Sequence, residues 1–457
     1  MAKKSKLVYL CTECGNEYAS WQGQCSYCGA WNTIVEHKIS GLKEPEADTR
    51  RRTGTGGGKP LKLKNVGTSD YTRIDSGISE LNRVLGGGIV PGSLVLISGE
   101  PGIGKSTIIA QSANRIANTY GTVLYVSGEE SEEQVRMRAD RVCNGSISDN
   151  LYIYPETNIE NILAACEELK PGFLIIDSIQ TMYSSEIENA AGSITQIRAC
   201  SNLLIRYAKS ADVPVFIVAH VTKSGDLAGP KTVEHMVDCV LSFTGERDRD
   251  LRILRSFKNR FGTTDEIGAF RMTSEGMIEV PDLSGTLIEN SACEEGSVIS
   301  AVYEGSRPVF FEIQALVSRT NVSFARRTAI GISQNRLNMI LAVLEKKAGI
   351  SLLDYDVYVN VVGGMSTGST STDLAVALAI YSSFKGRVSD HKVVAVGEVG
   401  LTGNLRSIPN ADKMIREAVR LGYDTVILPD KNAEASVQGI RVTGAANISD
   451  AIRAYLS

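Results

Sequence analysis

The sequence predicts an α/β protein centred on a parallel sheet with crossover helices, preceded by a small cysteine-bound module and followed by a second α/β domain. Three observations predict it. Gly99–Thr107 (GEPGIGKST) matches the phosphate-loop pattern G-x-x-x-x-G-K-[ST] at Gly99, Gly104, Lys105 and Ser106. From Val66 to about Val280, short apolar runs alternate with helix-like stretches. Two C-x-x-C pairs, Cys11/Cys14 and Cys25/Cys28, stand near the start of the chain.

The flanks of the phosphate loop carry much of its meaning. Ser93–Ser98 (SLVLIS), an apolar run after Pro91-Gly92, reads as a buried strand, and Thr107–Ile116 has apolar residues at helical spacing. Strand, glycine loop and helix then follow in the order that lets backbone N–H groups and a helix N-terminus meet phosphate oxygens. The expected nucleotide contacts are Gly99, Glu100, Pro101, Gly102, Ile103, Gly104, Lys105, Ser106 and Thr107. Lys105 supplies a cation for the β- and γ-phosphates of ATP, and the Ser106 hydroxyl a ligand for Mg²⁺. A glycine turn that binds nothing is the alternative, and the complete motif with correct flanks speaks against it.

A chain of 457 residues is long enough for two or three domains, and 43% hydrophobic with 22% charged residues is the composition of a globular protein. No apolar run reaches the ~18 residues of a membrane span, and Leu7–Cys11 is too short for the core of a signal peptide. The expected location is cytoplasmic. A net charge of −4 rules out a global field that draws the protein to nucleic acid. The first 64 residues nevertheless carry eleven Lys/Arg against six Asp/Glu, including Arg50, Arg51, Arg52, Lys59, Lys62 and Lys64. A solvated linker and a phosphate contact explain that run equally well.

The two C-x-x-C pairs are each followed by a glycine, Gly15 and Gly29, which permits the tight turns that bring four thiolates to the corners of a tetrahedron. That geometry suits Zn²⁺, with a redox pair the weaker explanation in a cytosolic chain. A module of about 30 residues buries too little to fold unaided, so the metal supplies the folding energy. Trp21 and Trp31 are expected to pack over the metal site, with contact to a partner as the alternative. Cys143, Cys166, Cys200, Cys239 and Cys293 have no ligand spacing and read as small buried residues. The expected domains are a zinc finger over 1–35, a glycine-rich basic linker over 36–65, an ATPase domain over 66–282 and a second α/β domain over 283–457.

Three apolar runs after the phosphate loop end in polar residues. Val123–Ser127 leads into Gly128-Glu129-Glu130, Phe173–Ile176 ends at Asp177, and Val213–Ala219 ends at His220. In an open α/β sheet such residues gather at the carboxyl edge, beside the ligand. Asp177 fits the Walker B carboxylate that holds Mg²⁺, with a helix cap as its competitor. Glu129 is the candidate for polarising the attacking water and Glu130 its rival. His220 reads as a γ-phosphate sensor or a structural histidine. The segment Val221–Lys231, with two lysines and two glycines, reads as a nucleic-acid backbone contact or a plain solvated loop. Leu251–Phe257 leads into Lys258-Asn259-Arg260-Phe261-Gly262, whose two cations suit an active site completed across a subunit interface.

The order C-x-x-C/C-x-x-C, GEPGIGKST, VSGEES, LIIDS and KNRFG resembles the bacterial RadA (Sms) family of DNA-repair ATPases over essentially the whole chain. The resemblance implies a RecA-like core, a hexameric ring, movement on single-stranded DNA, and branch migration of recombination intermediates alongside the RecA recombinase. It further implies that Lys258 and Arg260 act in trans on a neighbour's ATP. Glu129 then falls where DnaB-like motors carry their catalytic glutamate, and 221–231 where RecA-like proteins contact DNA.

Beyond residue 283, Thr372–Phe384 is apolar nearly all round and reads as a buried helix, Gly397–Ile408 as a hairpin, and Ala411, Met414, Ile415, Ala418 and Val419 as the stripe of an amphipathic helix. GEVGLTG followed by such a helix is similar to the proteolytic domain of Lon proteases, whose Ser–Lys dyad is thereby a rival reading. That alignment puts Ser371 at the nucleophile and Asp412 at the lysine. Lys413 stands one residue, or about 100° of helix, away. The expected role is therefore a non-proteolytic scaffold for ring assembly and DNA contact. A non-motor RecA-fold signalling ATPase is the third reading.

Overall fold

The computed structural model describes residues 6–11, 17–18, 20–26, 31–39, 72–220, 233–245, 250–289, 291, 293–320, 325–363, 367–434 and 437–457. It divides into two compact units, 1–279 and 280–457, against an expected boundary at 282/283.

The front of unit 1 is a three-stranded antiparallel ribbon of β1 (Lys6–Cys11), β2 (Glu17–Tyr18) and β3 (Ile34–Ile39) in the order β2-β1-β3. Its interior is small: Cys11, Cys25 and Ile34, with Tyr9 and Tyr18 packed against them. Trp21 and Trp31 do not join that interior. They are 58% and 69% exposed and flank Gly23, because a ribbon this thin has no room for two indoles. Cys14, Cys28 and residues 40–71, which take in most of the expected linker, lie outside the described residues.

The rest of unit 1 carries α1 (Ser79–Val84), β4 (Leu94–Gly99), α2 (Lys105–Thr119), β5 (Val123–Ser127), α3 (Glu132–Val142), β6 (Leu151–Pro155), α4 (Ile159–Leu169), β7 (Phe173–Asp177), α5 (Ile194–Ala211), β8 (Val215–His220), β9 (Cys239–Thr244), β10 (Leu251–Asn259), β11 (Ile267–Thr273) and β12 (Gly276–Glu279). The sheet order is β12-β11-β10-β9-β4-β8-β7-β5-β6, parallel from β9 to β6 and antiparallel from β9 to β12. Both faces are covered, which is why the parallel strands read as unbroken apolar runs. The pleat sends Val95 and Ile97 into the layer that holds α2, and Leu94 and Leu96 into the layer that holds α4 and α5.

Unit 2 comprises α6 (Leu283–Ile288), β13 (Ser297–Glu304), β14 (Arg307–Arg319), β15 (Arg327–Ile330), α7 (Gln334–Ala348), β16 (Tyr355–Val361), α8 (Asp373–Lys385), β17 (Val393–Ala395), β18 (Glu398–Val399), β19 (Leu405–Arg406), α9 (Ala411–Arg420), β20 (Thr425–Pro429), β21 (Arg441–Ala445) and α10 (Ile448–Leu456). Its main sheet runs β15-β16-β14-β13-β17-β20-β21, and β18 and β19 form the expected hairpin. The helix α8 is buried from Asp373 to Ile380, as its all-round apolar sequence requires. Two cysteines differ from expectation: Cys166, Cys200 and Cys239 are buried, but Cys143 is half-buried and Cys293 exposed. Both lie beyond helix or strand ends rather than on an inward face. Among the described residues no helix is long and apolar enough to cross a membrane.

Candidate active site

The parallel register brings the strand ends to one edge of the sheet. Gly99 at the end of β4 pairs with His220 at the end of β8, and Ser127 at the end of β5 pairs with Asp177 at the end of β7. The loop after β4 turns into α2 at Gly104, whose φ of 114° only glycine adopts readily. Helix α2 starts at Lys105, earlier than the periodicity from Thr107 indicates, so Lys105 and Ser106 sit in its first turn. Lys105 is 3% exposed, and its ammonium donates to the carbonyls of Gly99 at 2.8 Å and Glu100 at 2.9 Å. Burial pulls its pKa from 10.5 to about 8, against the opposing pull of Asp177 and Glu129.

Past β5, Gly128 lets the chain cross closely over β7: its N–H donates to the Asp177 carbonyl at 2.7 Å, and a Cβ there would strike Thr181 Oγ1. The two glutamates then part. Glu129 accepts from Ser178 Oγ at 2.6 Å and stands 3.6 Å from His220 Nε2. Glu130 is ion-paired to Arg138 on α3. Burial and then the Lys105 ammonium lower the His220 pKa, against the opposing pull of Glu129 and Asp177. Its backbone carbonyl accepts from Gln180 at 3.0 Å. The Asp177 carboxylate, 8% exposed, accepts from the Tyr125 hydroxyl at 2.5 Å.

An open cleft of ≈ 430 Å³ covers this edge, lined by Gly102, Gly104, Lys105, Ser106 and Thr107 on the loop side, Glu130, Arg138 and Arg141 on the α3 side, and His220, Met272, Thr273 and Ser274 beyond. The donor set fits a magnesium nucleotide: glycine-loop amides at a helix N-terminus, an ammonium, a hydroxyl, and a carboxylate with one oxygen not hydrogen-bonded to a described residue. Sequence reasoning missed Tyr125, Ser178, Arg138, Arg141 and the β11 wall. The one signal for Tyr125 is that it interrupts an apolar run with a hydroxyl, and Arg138 carries none.

Lys258 and Arg260 are not brought to this edge. Lys258 donates to the carbonyls of Glu234 at 2.9 Å and His235 at 3.1 Å, and Arg260 to Asp238 Oδ1 at 3.2 Å. Asp238 also accepts from Lys209 and from the N–H of Leu94, the first residue of β4. Five residue steps along the strand, roughly 16 Å at ~3.3 Å each, separate Leu94 from Gly99. The two cations therefore stand at the opposite edge from their own phosphate loop. Residues 221–231 lie outside the described residues.

In the ribbon, Cys11 and Cys25 are both buried, with Cys11 Sγ 3.2 Å from Thr33 Oγ1 and Cys25 Sγ 3.1 Å from the Tyr18 hydroxyl. In unit 2, Ser371 is 5% exposed and its hydroxyl faces the Ala301 carbonyl at 3.3 Å and Ser369 Oγ at 2.8 Å. Lys413 donates instead to the Tyr303 hydroxyl at 2.7 Å, and Asp412 is exposed. Beside Ser371, Asp373 is 1% exposed and bound in bidentate fashion by Arg336, with Nε at 2.7 Å.

Three family models each match a part of the chain. Residues 9–36 match the Rubredoxin metal binding domain family, residues 59–226 the AAA domain family, and residues 313–432 the family of Subunit ChlI of Mg-chelatase. The chain is 46% identical to the DNA repair protein RadA of Halalkalibacterium halodurans over 100% of both chains. It is 43% identical to that of Bacillus subtilis and 44% identical to that of Haemophilus influenzae, over 99% of each chain in both cases. A solved structure of an ATPase domain overlays 46% of this chain and 92% of its own at a TM-score of 0.40 and 16% identity.

Proposed function

This chain belongs to the family of the DNA repair protein RadA, and from that membership we propose that it is a DNA-stimulated ATPase motor of recombinational repair. ATP is held by Gly99–Thr107, with Lys105 on the β- and γ-phosphates and Ser106 and Asp177 as the residues for Mg²⁺, which neutralises charge on the phosphate oxygens. Glu129 polarises the water, because Glu130 is engaged by Arg138. His220, beside Glu129, hydrogen-bonds the γ-phosphate. Lys258 and Arg260 complete the site of a neighbouring copy in a hexameric ring. Cys11, Cys14, Cys25 and Cys28 hold zinc. Single-stranded and branched DNA are the polymer partners, reached through 221–231, and RecA is the protein partner during branch migration in the cytoplasm.

The observation that carries this reading is the placement of the Lys258 and Arg260 cations at the sheet edge away from their own phosphate loop. Their distance from the loop of their own chain supports a role on the ATP of the next subunit, the coupling between copies that a motor needs. Hydrolysis measured with and without single-stranded DNA tests it: a rate that rises with DNA supports the motor, and a flat response defeats it. The protease reading is disfavoured by Ser371, whose hydroxyl has no lysine among its hydrogen-bond partners in the described residues. Casein cleavage that disappears in Ser371→Ala would restore it.

A further inference from the structure

A hydrogen-bond chain runs beneath the phosphate cleft. The Tyr125 hydroxyl donates to Asp177 Oδ2 at 2.5 Å and accepts from Arg138 Nη2 at 3.0 Å. Arg138 Nη1 is paired with Glu130, and its Cζ lies 5.9 Å from the Tyr125 ring centroid. The direction of the chain is set by chemistry. A guanidinium has no acceptor, so the phenol must accept from it and has one proton left, for the carboxylate. The chain thus joins the turn after β5 to the end of β7.

Tyr125 lies in an apolar layer with Phe173 and Ile175, residues that fill the same layer without a hydroxyl. Packing alone does not call for a phenol there. Arg138 also lines the cleft, and its Nε is buried without a partner among the described residues.

We propose that Tyr125 and Arg138 are positioning residues for the magnesium that accompanies ATP: they fix the Asp177 carboxylate through Oδ2 and leave Oδ1 to the metal, directly or through water. The proposal rests on the reading of Asp177 as the magnesium carboxylate. Lys105 and the loop amides bind phosphate without this chain, and Tyr125 does not line the cleft, so removing its hydroxyl alters the metal requirement and not nucleotide binding itself. Side chains that orient a metal ligand in this way typically change metal affinity by about tenfold or more when removed.

The test uses the full chain and a fluorescent, non-hydrolysable ATP analogue, titrated with Mg²⁺ from a chelator-buffered start. Its readout is the magnesium concentration that gives half of the metal-dependent gain in analogue affinity. Tyr125→Phe is expected to raise that concentration by about tenfold while analogue affinity without metal stays at the wild-type value. Arg138→Gln, the variant to rely on if Tyr125→Phe melts early, is expected to raise it in the same direction by a smaller factor, because the hydroxyl still faces Asp177. A wild-type magnesium requirement in a folded variant overturns the proposal, and so does an equal loss of affinity with and without metal. Failure of the wild-type chain to bind the analogue at any magnesium concentration defeats the ATP reading instead, which keeps the two apart.

Discussion

Replacing Lys105 by methionine is expected to disable the site and stabilise the nucleotide-free protein. Lys105 is 3% exposed and its pKa falls from 10.5 to about 8 through burial. At ~1.36 kcal/mol per unit, that depression corresponds to roughly 3 kcal/mol spent on holding the charge in the fold. Methionine removes this cost and keeps most of the packing, but leaves the Gly99 and Glu100 carbonyls without their donor, at about 1 kcal/mol each or less. The net gain is about 1–2 kcal/mol, or a rise of a few degrees in the melting temperature of unit 1. The pH dependence fixes the sign. The folded pKa lies below the unfolded one, so the cost is complete below about 8, declines as pH rises and is absent above 10.5, where lysine is neutral in both states. Calorimetry without nucleotide, near neutrality and again above 10.5, is the assay, run beside ATP binding. A variant no more stable than wild type near neutrality, or one whose advantage ignores pH, refutes the reasoning.

Glu129→Gln should lower kcat by about 10²–10⁴ with ATP binding retained, whereas Glu130→Gln should leave most of kcat; steady-state rates decide, and the reverse order would exchange their roles. Lys258→Ala should bind ATP normally yet lose DNA-stimulated hydrolysis by roughly 10³, and mixing it with Lys105→Met subunits should restore part of the rate if the two act across an interface. Arg336→Ala should cost unit 2 about 3–5 kcal/mol in denaturant titration, because Asp373 stays buried and unpaired. Burial already holds the Asp373 carboxyl above its ordinary value, so the folded state takes up its proton first and the penalty should shrink on acidification. Cys25→Ser should strip zinc from the purified chain, read by metal analysis, while the melting transition of residues 280–457 stays where it was.

Short stretches of the chain settle whatever a few neighbouring residues can settle. Gly99–Thr107 forces its turn because Gly104 alone tolerates φ of 114°, and the strand ends at Asp177 and His220 follow from apolar runs that stop abruptly. The buried α8 and the β18–β19 hairpin were legible for the same reason. Sheet order and register decided the rest. Which glutamate remains available depends on Arg138, eight positions along the chain from Glu130, folding back beneath the cleft. The Tyr125–Asp177 bond spans 52 residues and exists only because β5 lies beside β7. Asp238 gathers Lys209, Arg260 and Leu94 from three separate stretches. The indoles of Trp21 and Trp31 stay exposed because the ribbon's interior is too small to hold them. A motif sets backbone angles over a few residues and is written in the order of its letters. A contact between distant strands arises when a hundred other side chains choose one packing, and no short window of sequence contains that choice.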